Sequence, residues 1–326
     1  MNADSCEYTI VLPDCDILSR VCGTNDSNLR LIEHHLGIPV FSRGNELSIN
    51  QESSALRQEF QFIIDRLVDE LSENKNAGSE LVESVLNTEV YNRSLGSDTE
   101  SFNSSEYSVL IPGSSKKIYP KTKNQARLIS ALRKNDLVFA EGASGSGKTL
   151  LCVAESLSLL MKRKVKSLIL TRPVVEAGES LGFLPGDLRD KINPYLRPLF
   201  DAVDYCLPRD TVKKLFENGI IEVSPLAYMR GRTLNNAAVI LDEAQNTTNE
   251  QMKMFLTRIG DGTKVFVTGD TTQTDLKSRG KSGLEKALSL LSGIEGIGIV
   301  KLDGRDIVRS ALVKKIVKAY EYDETE

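Results

Sequence analysis

The octapeptide Gly142-Ala143-Ser144-Gly145-Ser146-Gly147-Lys148-Thr149 fills every fixed position of G-x-x-x-x-G-K-T, and it follows the apolar run Leu137-Val138-Phe139-Ala140. That run reads as a buried strand, and a helix is expected to begin near Lys148. Glycines let the backbone curl round an anion with successive N–H groups turned inward, and the positive end of the helix adds to the field. Lys148 is the group expected to reach the β- and γ-phosphates. The Thr149 hydroxyl suits Mg²⁺, which keeps most of its waters and takes few protein ligands. The pattern predicts a site for a nucleoside triphosphate.

Other chemistries are excluded by what the chain lacks. His34 and His35 are its only histidines. Neighbours on a helix point about 100° apart, so they cannot share a metal or serve a Ser-His-Asp triad. Five cysteines are scattered without a C-x-x-C pair, which indicates neither a disulfide framework nor a zinc site. The start, Met1-Asn2-Ala3-Asp4-Ser5, has no basic leader, and no run of about 18 apolar residues occurs. A cytoplasmic location without membrane attachment is the expectation.

The net charge of −4 hides an asymmetry: residues 1–106 carry 7 Lys/Arg against 19 Asp/Glu, which leaves 34 against 26 for the remainder. An acidic first part repels a polyanion, so any nucleic acid is expected on the second. Residues 1–75 read as a small acidic α+β domain. Its strands are Tyr8–Leu12, Ile38–Phe41 and Glu46–Ile49, and its helices Asn28–Leu36 and Glu52–Leu71. Residues 76–106 read as a linker, helical near Glu80–Asn92 and then polar and nearly free of large apolar groups. Residues 107–326 read as the second domain, opened by a hairpin of Tyr107–Ile111 and Lys117–Tyr119, and from Leu137 onward strand-like runs alternate with helical ones: Leu137–Ala140, Ser167–Leu170, Ile220–Val223, Ala238–Leu241 and Lys264–Thr268. Most are too apolar for burial on one face, which predicts a doubly wound α/β domain with a mainly parallel sheet and its ligands at the carboxyl ends of the strands.

Two more strand ends carry polar clusters. Val239-Ile240-Leu241 leads into Asp242-Glu243, where Asp242 is expected to hold Mg²⁺ and Glu243 to polarise the water that attacks the γ-phosphate. A kinase needs no glutamate aimed at water, and the Asn-Lys-x-Asp pattern of base-reading GTPases is absent from the expected region, so ATP hydrolysis is preferred. Val265-Phe266-Val267-Thr268 leads into Gly269-Asp270-Thr271-Thr272-Gln273, which places Gln273 to sense the γ-phosphate or the lytic water. Gln125, upstream of the first core strand, is a candidate for the adenine edge, or else an ordinary polar helix start. Arg172, Arg230 and Arg232 fall in loops at the binding edge, where arginines contact phosphodiesters or act as a finger on the γ-phosphate.

Taken together, the segments from Tyr119 to Tyr320 resemble the PhoH family of bacterial phosphate-loop ATPases. The most specific are Thr171–Glu179 running into Leu181–Asp187, then Pro225–Leu234, and Asn246–Lys253. Residues 1–75 resemble the KH-like extension of the family's shorter branch, although Gly23-Thr24-Asn25-Asp26 puts a carboxylate where a Gly-x-x-Gly clamp has its second glycine. The resemblance implies a RecA-like fold akin to one motor half of a superfamily 1 helicase. ATP, Mg²⁺, single-stranded RNA and a role in ribosomal RNA processing or RNA quality control come with it. A single motor half implies a ring-like homo-oligomer, a hexamer being one form, and the acidic domain is expected to dock an RNA-processing protein. Near the carboxyl end the family shows an acidic residue followed by Val-Val-Arg-His, where this chain has Asp306-Ile307-Val308-Arg309-Ser310. Arg309 is thereby the first candidate for a finger donated across a subunit boundary. The alternative is a slow nucleotide switch that assembles protein partners without RNA-stimulated turnover.

Overall fold

The computed structural model describes residues 7–73, 78–94, 107–114, 116–173, 188–273 and 282–307. They form two compact units, residues 1–108 with 115–123 and residues 109–114 with 124–326.

In the first unit, β1 (Glu7–Val11), α1 (Cys15–Cys22), α2 (Ser27–Leu36), β2 (Val40–Arg43), β3 (Glu46–Asn50), α3 (Ser54–Glu73) and α4 (Ser79–Ser94) follow in order. The sheet is antiparallel with β3 between β1 and β2. Its apolar face and the helices share one core that includes Ile10, Ile32, Leu47, Ile49, Phe60, Ile63 and Leu67. Helix α1 has no counterpart in the sequence expectations, yet its signals are local: Asp14 accepts from the Ile17 N–H as an N-cap, and Ile17 and Val21 are buried one turn apart. Helix α4 lies in the stretch read as a linker, and Leu81, Val82, Val85 and Leu86 are buried in the same core. The turn between α1 and α2 is the expected clamp position. There Asp26 holds φ +58, a conformation for which glycine is the default and which aspartate tolerates.

The second unit starts with the short β4 (Val109–Leu110), whereas β5 (Lys117–Ile118), just beyond it in the chain, belongs to the first unit. Then come α5 (Lys123–Lys134), β6 (Leu137–Gly142), α6 (Lys148–Met161), β7 (Ser167–Arg172), α7 (Leu188–Cys206), α8 (Arg209–Glu217) and β8 (Ile221–Pro225). They are followed by β9 (Ala237–Leu241), α9 (Asn249–Leu256), β10 (Lys264–Gly269), α10 (Gly283–Leu291) and β11 (Ile297–Leu302). Six strands make one parallel sheet in the order β11-β6-β10-β9-β7-β8. Every residue of β9 is buried, as burial of both faces requires. Alternate residues, among them Phe139, Val239, Leu241, Val265 and Val267, join Met252 of α9, Phe255 of α9 and Leu284 of α10 in one core. On the other side α6 packs on β6, β7, β9 and β10. It is buried nearly all round, which its apolar Leu150–Val153 and Leu157–Leu160 stretches permit. Strand β11 was not anticipated: it is an edge strand, mostly half-exposed, and its Ile-Gly-Ile-Val-Lys-Leu lacks the unbroken apolar signature of the central strands.

Candidate functional site

The sheet order decides what meets at its carboxyl edge. Strand β10 lies between β6, which feeds the glycine loop, and β9, which ends at Asp242, so the turn after β10 falls between the two motifs. A cavity of about 240 Å³ is lined there by Ser144, Gly145, Gly147, Lys148, Thr149, Leu150, Asp242, Glu243, Gly269, Asp270 and Gln273.

The loop needs its glycines. Gly142, Gly145 and Gly147 all have positive φ, and a Cβ on Gly142 would lie 2.4 Å from the Leu302 carbonyl oxygen. Lys148 folds back over the loop: its Nζ donates to the Gly142 oxygen at 2.6 Å and the Ala143 oxygen at 2.8 Å. Burial holds the Lys148 ammonium below the usual lysine range, and the carboxylates of Asp270, Glu243 and Asp242 oppose that shift. Beneath it Cys152 is fully buried, which pushes its thiol well up, with Asp242 adding to the effect. It is a poor nucleophile. Gln125 is 4% exposed and donates Nε2 to the Ser146 oxygen at 2.9 Å, so its amide props the phosphate loop from behind.

Asp242 is 4% exposed and accepts through Oδ1 from Thr149 Oγ1 at 2.8 Å and Thr268 Oγ1 at 2.6 Å. Two hydroxyls and a carboxylate form a hard oxygen donor set of the kind Mg²⁺ takes. Asp270 adds a further acceptor. Its Oδ1 accepts from the Thr272 N–H and hydroxyl, while Oδ2 is buried and has no hydrogen-bond partner among the described residues. An unpartnered carboxylate oxygen on a residue that lines the cavity suits the water shell of a cation.

Glu243 sits at φ +53, two residues past the end of β9. Its Oε1 is 3.2 Å from Arg172 Nη2, and its Oε2 accepts from Gln245 Nε2 at 2.5 Å. Gln245 in turn accepts the Asp270 N–H at 3.0 Å, and Arg172 donates Nη1 to the Tyr195 oxygen at 2.9 Å. Arg172 therefore faces the cavity side of the edge. The other two arginines stand apart from it. Arg232 makes a fork on Glu222 at 2.6 and 2.8 Å, which holds the Glu222 carboxyl below its usual range. Arg230 is exposed, just past the 3-10 turn Leu226–Met229. Gln273 lines the cavity with its N–H on the Asp270 oxygen at 3.2 Å. Arg309, the Leu181–Asp187 segment and residues 174–179 lie outside the described residues.

Thr268, Asp270 and Gln245 were not singled out from sequence. Their one signal is position: each is a polar residue at the end of, or just beyond, a wholly apolar run, where a buried side chain needs partners.

A strand–glycine loop–helix with lysine and threonine at its start, an Asp-Glu pair two strands away and a polar strand end between them define the nucleotide site of a P-loop NTPase. The particular branch follows from relatives. A profile of PhoH-like proteins matches residues 117–321. The "PhoH-like protein" of Bacillus subtilis (strain 168) is 46% identical over 302 residues, 92% of each chain. That of Mycobacterium tuberculosis (strain H37Rv) is 44% identical over 305 residues, 94% of this chain and 85% of its own. "Protein PhoH" of Escherichia coli (strain K12) is 45% identical over 209 residues, 61% of this chain and 57% of its own. The chain belongs to the PhoH family. Among solved structures, a Pif1 helicase from Candida albicans overlays with a TM-score of 0.30 and 17% identity, over 56% of this chain and 40% of that one, too loosely to carry weight. Among the described residues no helix is long and apolar enough to cross a membrane.

Proposed function

We propose that this protein is a Mg²⁺-dependent ATPase akin to one motor half of a superfamily 1 helicase, acting on single-stranded RNA in ribosomal RNA processing or RNA quality control. The observation that carries the reading is the convergence of Lys148, Thr149, Asp242, Glu243 and Gln273 on one cavity. The loop N–H groups and Lys148 bind the phosphates, and Gln273 contacts the γ-phosphate or the water in line with it. Glu243 accepts the proton of that water as its oxygen attacks the γ-phosphorus, and the bond to the β–γ bridging oxygen breaks to release ADP. Thr149 and Asp242 would hold Mg²⁺, whose chemistry when bound is to neutralise phosphate charge. In this reading the protein is a ring-like homo-oligomer, Arg309 supplies a finger to a neighbouring site, and the acidic first unit docks an RNA-processing protein.

A second reading, a slow nucleotide switch that assembles protein partners, is favoured by one observation: both oxygens of Glu243 are already engaged. Steady-state ATP hydrolysis with and without single-stranded RNA separates the two. Stimulation by RNA is expected. Glu243→Gln should lower turnover by about 10²-fold or more while leaving binding of a non-hydrolysable ATP analogue intact, and Lys148→Ala should lose both. Turnover that persists in Glu243→Gln would remove Glu243 from the mechanism. Slow turnover indifferent to RNA would select the switch.

A further inference from the structure

We infer that Arg172 is a clamp on Glu243, damping the carboxylate as a base until a phosphodiester polyanion draws the guanidinium off. The inference rests on the ATPase reading above. Arg172 is the last residue of β7, the strand paired with β9, and in register Thr171 stands opposite Leu241. Among the described residues its guanidinium has two polar contacts, the Glu243 Oε1 at 3.2 Å and the Tyr195 carbonyl at 2.9 Å. The second comes from α7 and fixes the first in direction.

On the other side Gln245, itself 3% exposed, donates to Oε2 at 2.5 Å and is anchored by the Asp270 N–H at 3.0 Å. Contacts thus run from the end of β10 through Gln245 and Glu243 to the end of β7 and on to α7. With a guanidinium N–H on Oε1 and an amide N–H on Oε2, each oxygen of the carboxylate already serves one donor, which lowers its basicity towards water. Gln245 is neutral and buried, so the movable side is Arg172, whose side chain is 22% exposed. Arginine exchanges carboxylate for phosphate readily because both present the same planar pair of oxygens. A nucleic-acid backbone at this edge would compete for Arg172 and leave Glu243 with one oxygen free. Arg172 is then a positioning residue that acts through Glu243, and it couples polyanion binding to turnover.

The test uses the full chain and poly(U) as the polyanion. For wild type, Arg172→Ala and Arg172→Lys, kcat and KM for ATP are measured with and without poly(U), with Glu243→Gln as the hydrolysis-dead reference. The clamp predicts that Arg172→Ala raises kcat without poly(U) about fivefold, leaves KM for ATP unchanged, and responds to poly(U) much less than wild type does. Arg172→Lys, which keeps the charge and loses the fork, should fall between. A kcat in Arg172→Ala at or below the wild-type value, in protein whose melting temperature is unchanged, would overturn the clamp while leaving the ATPase reading standing. So would undiminished stimulation by poly(U). Were Arg172→Ala to misfold, the Arg172→Lys ratio of stimulated to basal kcat decides alone. Absence of Glu243-dependent turnover in wild type and both Arg172 variants would sink the ATPase reading as well.

Discussion

Lys148 is the residue whose state ligand binding should change most. Its pKa lies below the ordinary lysine value of 10.5 because the ammonium is buried and its nearest hydrogen-bond partners are neutral oxygens. Between the lowered pKa and 10.5 the unfolded chain holds a proton that the folded chain has released, so the ligand-free protein gains stability as pH rises through that window. Triphosphate placed against Nζ favours the charged form and raises the pKa again. Binding of a non-hydrolysable ATP analogue should therefore take up protons in the window between the lowered pKa and 10.5, and its affinity should fall as pH rises through it. Calorimetry in two buffers of different ionisation enthalpy measures that uptake. Lys148→Arg, whose guanidinium stays charged throughout, should show none. Lys148, Thr149, Asp242 and Glu243 were legible in sequence because each motif is contiguous and directly follows an apolar run. Thr268 and Gln245 were not, since Thr268 meets Asp242, and Gln245 meets the Asp270 N–H, only because β10 is laid beside β9. Arg172 was legible as an arginine at the binding edge. What it faces depended on which strand β7 pairs with.

At the scale of elements, the constraint is how closely β6 and β11 approach. Gly142 ends β6 opposite Leu302 at the end of β11, with φ +154 and room for no side chain: the Leu302 carbonyl oxygen would be 2.4 Å from a Cβ. Backbone cannot yield as a flexible side-chain tip does. Gly142→Ala should therefore separate the two strand ends and cost on the order of 2–3 kcal/mol in stability. Because Gly142 also accepts from Lys148 Nζ, the same change should displace the phosphate loop. Thermal unfolding and nucleotide-analogue titration of the variant check both effects; a variant that melts and binds as wild type does would show that the loop does not depend on this contact. The sequence marks Gly142 only as the first glycine of a motif. Its partner strand β11 was invisible beforehand, because an edge strand needs one apolar face and Gly298 interrupts the pattern.

At the scale of the whole chain, the path between the two units is not a single crossing. Residues 115–123 belong with 1–108, while 109–114 belong with the nucleotide-binding unit. The returning segment completes the first unit's polar and apolar packing. Tyr119 is buried in its core and donates to Glu70 at 3.0 Å, Lys117 pairs with the same carboxylate at 2.9 Å, Lys121 pairs with Glu83 at 2.7 Å, and Ser84 donates to the Pro120 oxygen at 2.9 Å. Glu70 is only 7% exposed. A fragment ending at residue 106 would strand that carboxylate without the Lys117 ammonium and the Tyr119 hydroxyl, a loss on the order of 3 kcal/mol. A fragment ending at residue 123 keeps both. The expectation is a cooperative melt for 1–123 and a markedly lower one for 1–106, read by circular dichroism, with Glu70→Gln narrowing the gap by removing the charge that Lys117 neutralises. Equal melting temperatures for the two fragments would mean that the returning segment is held by the first unit rather than holding it together.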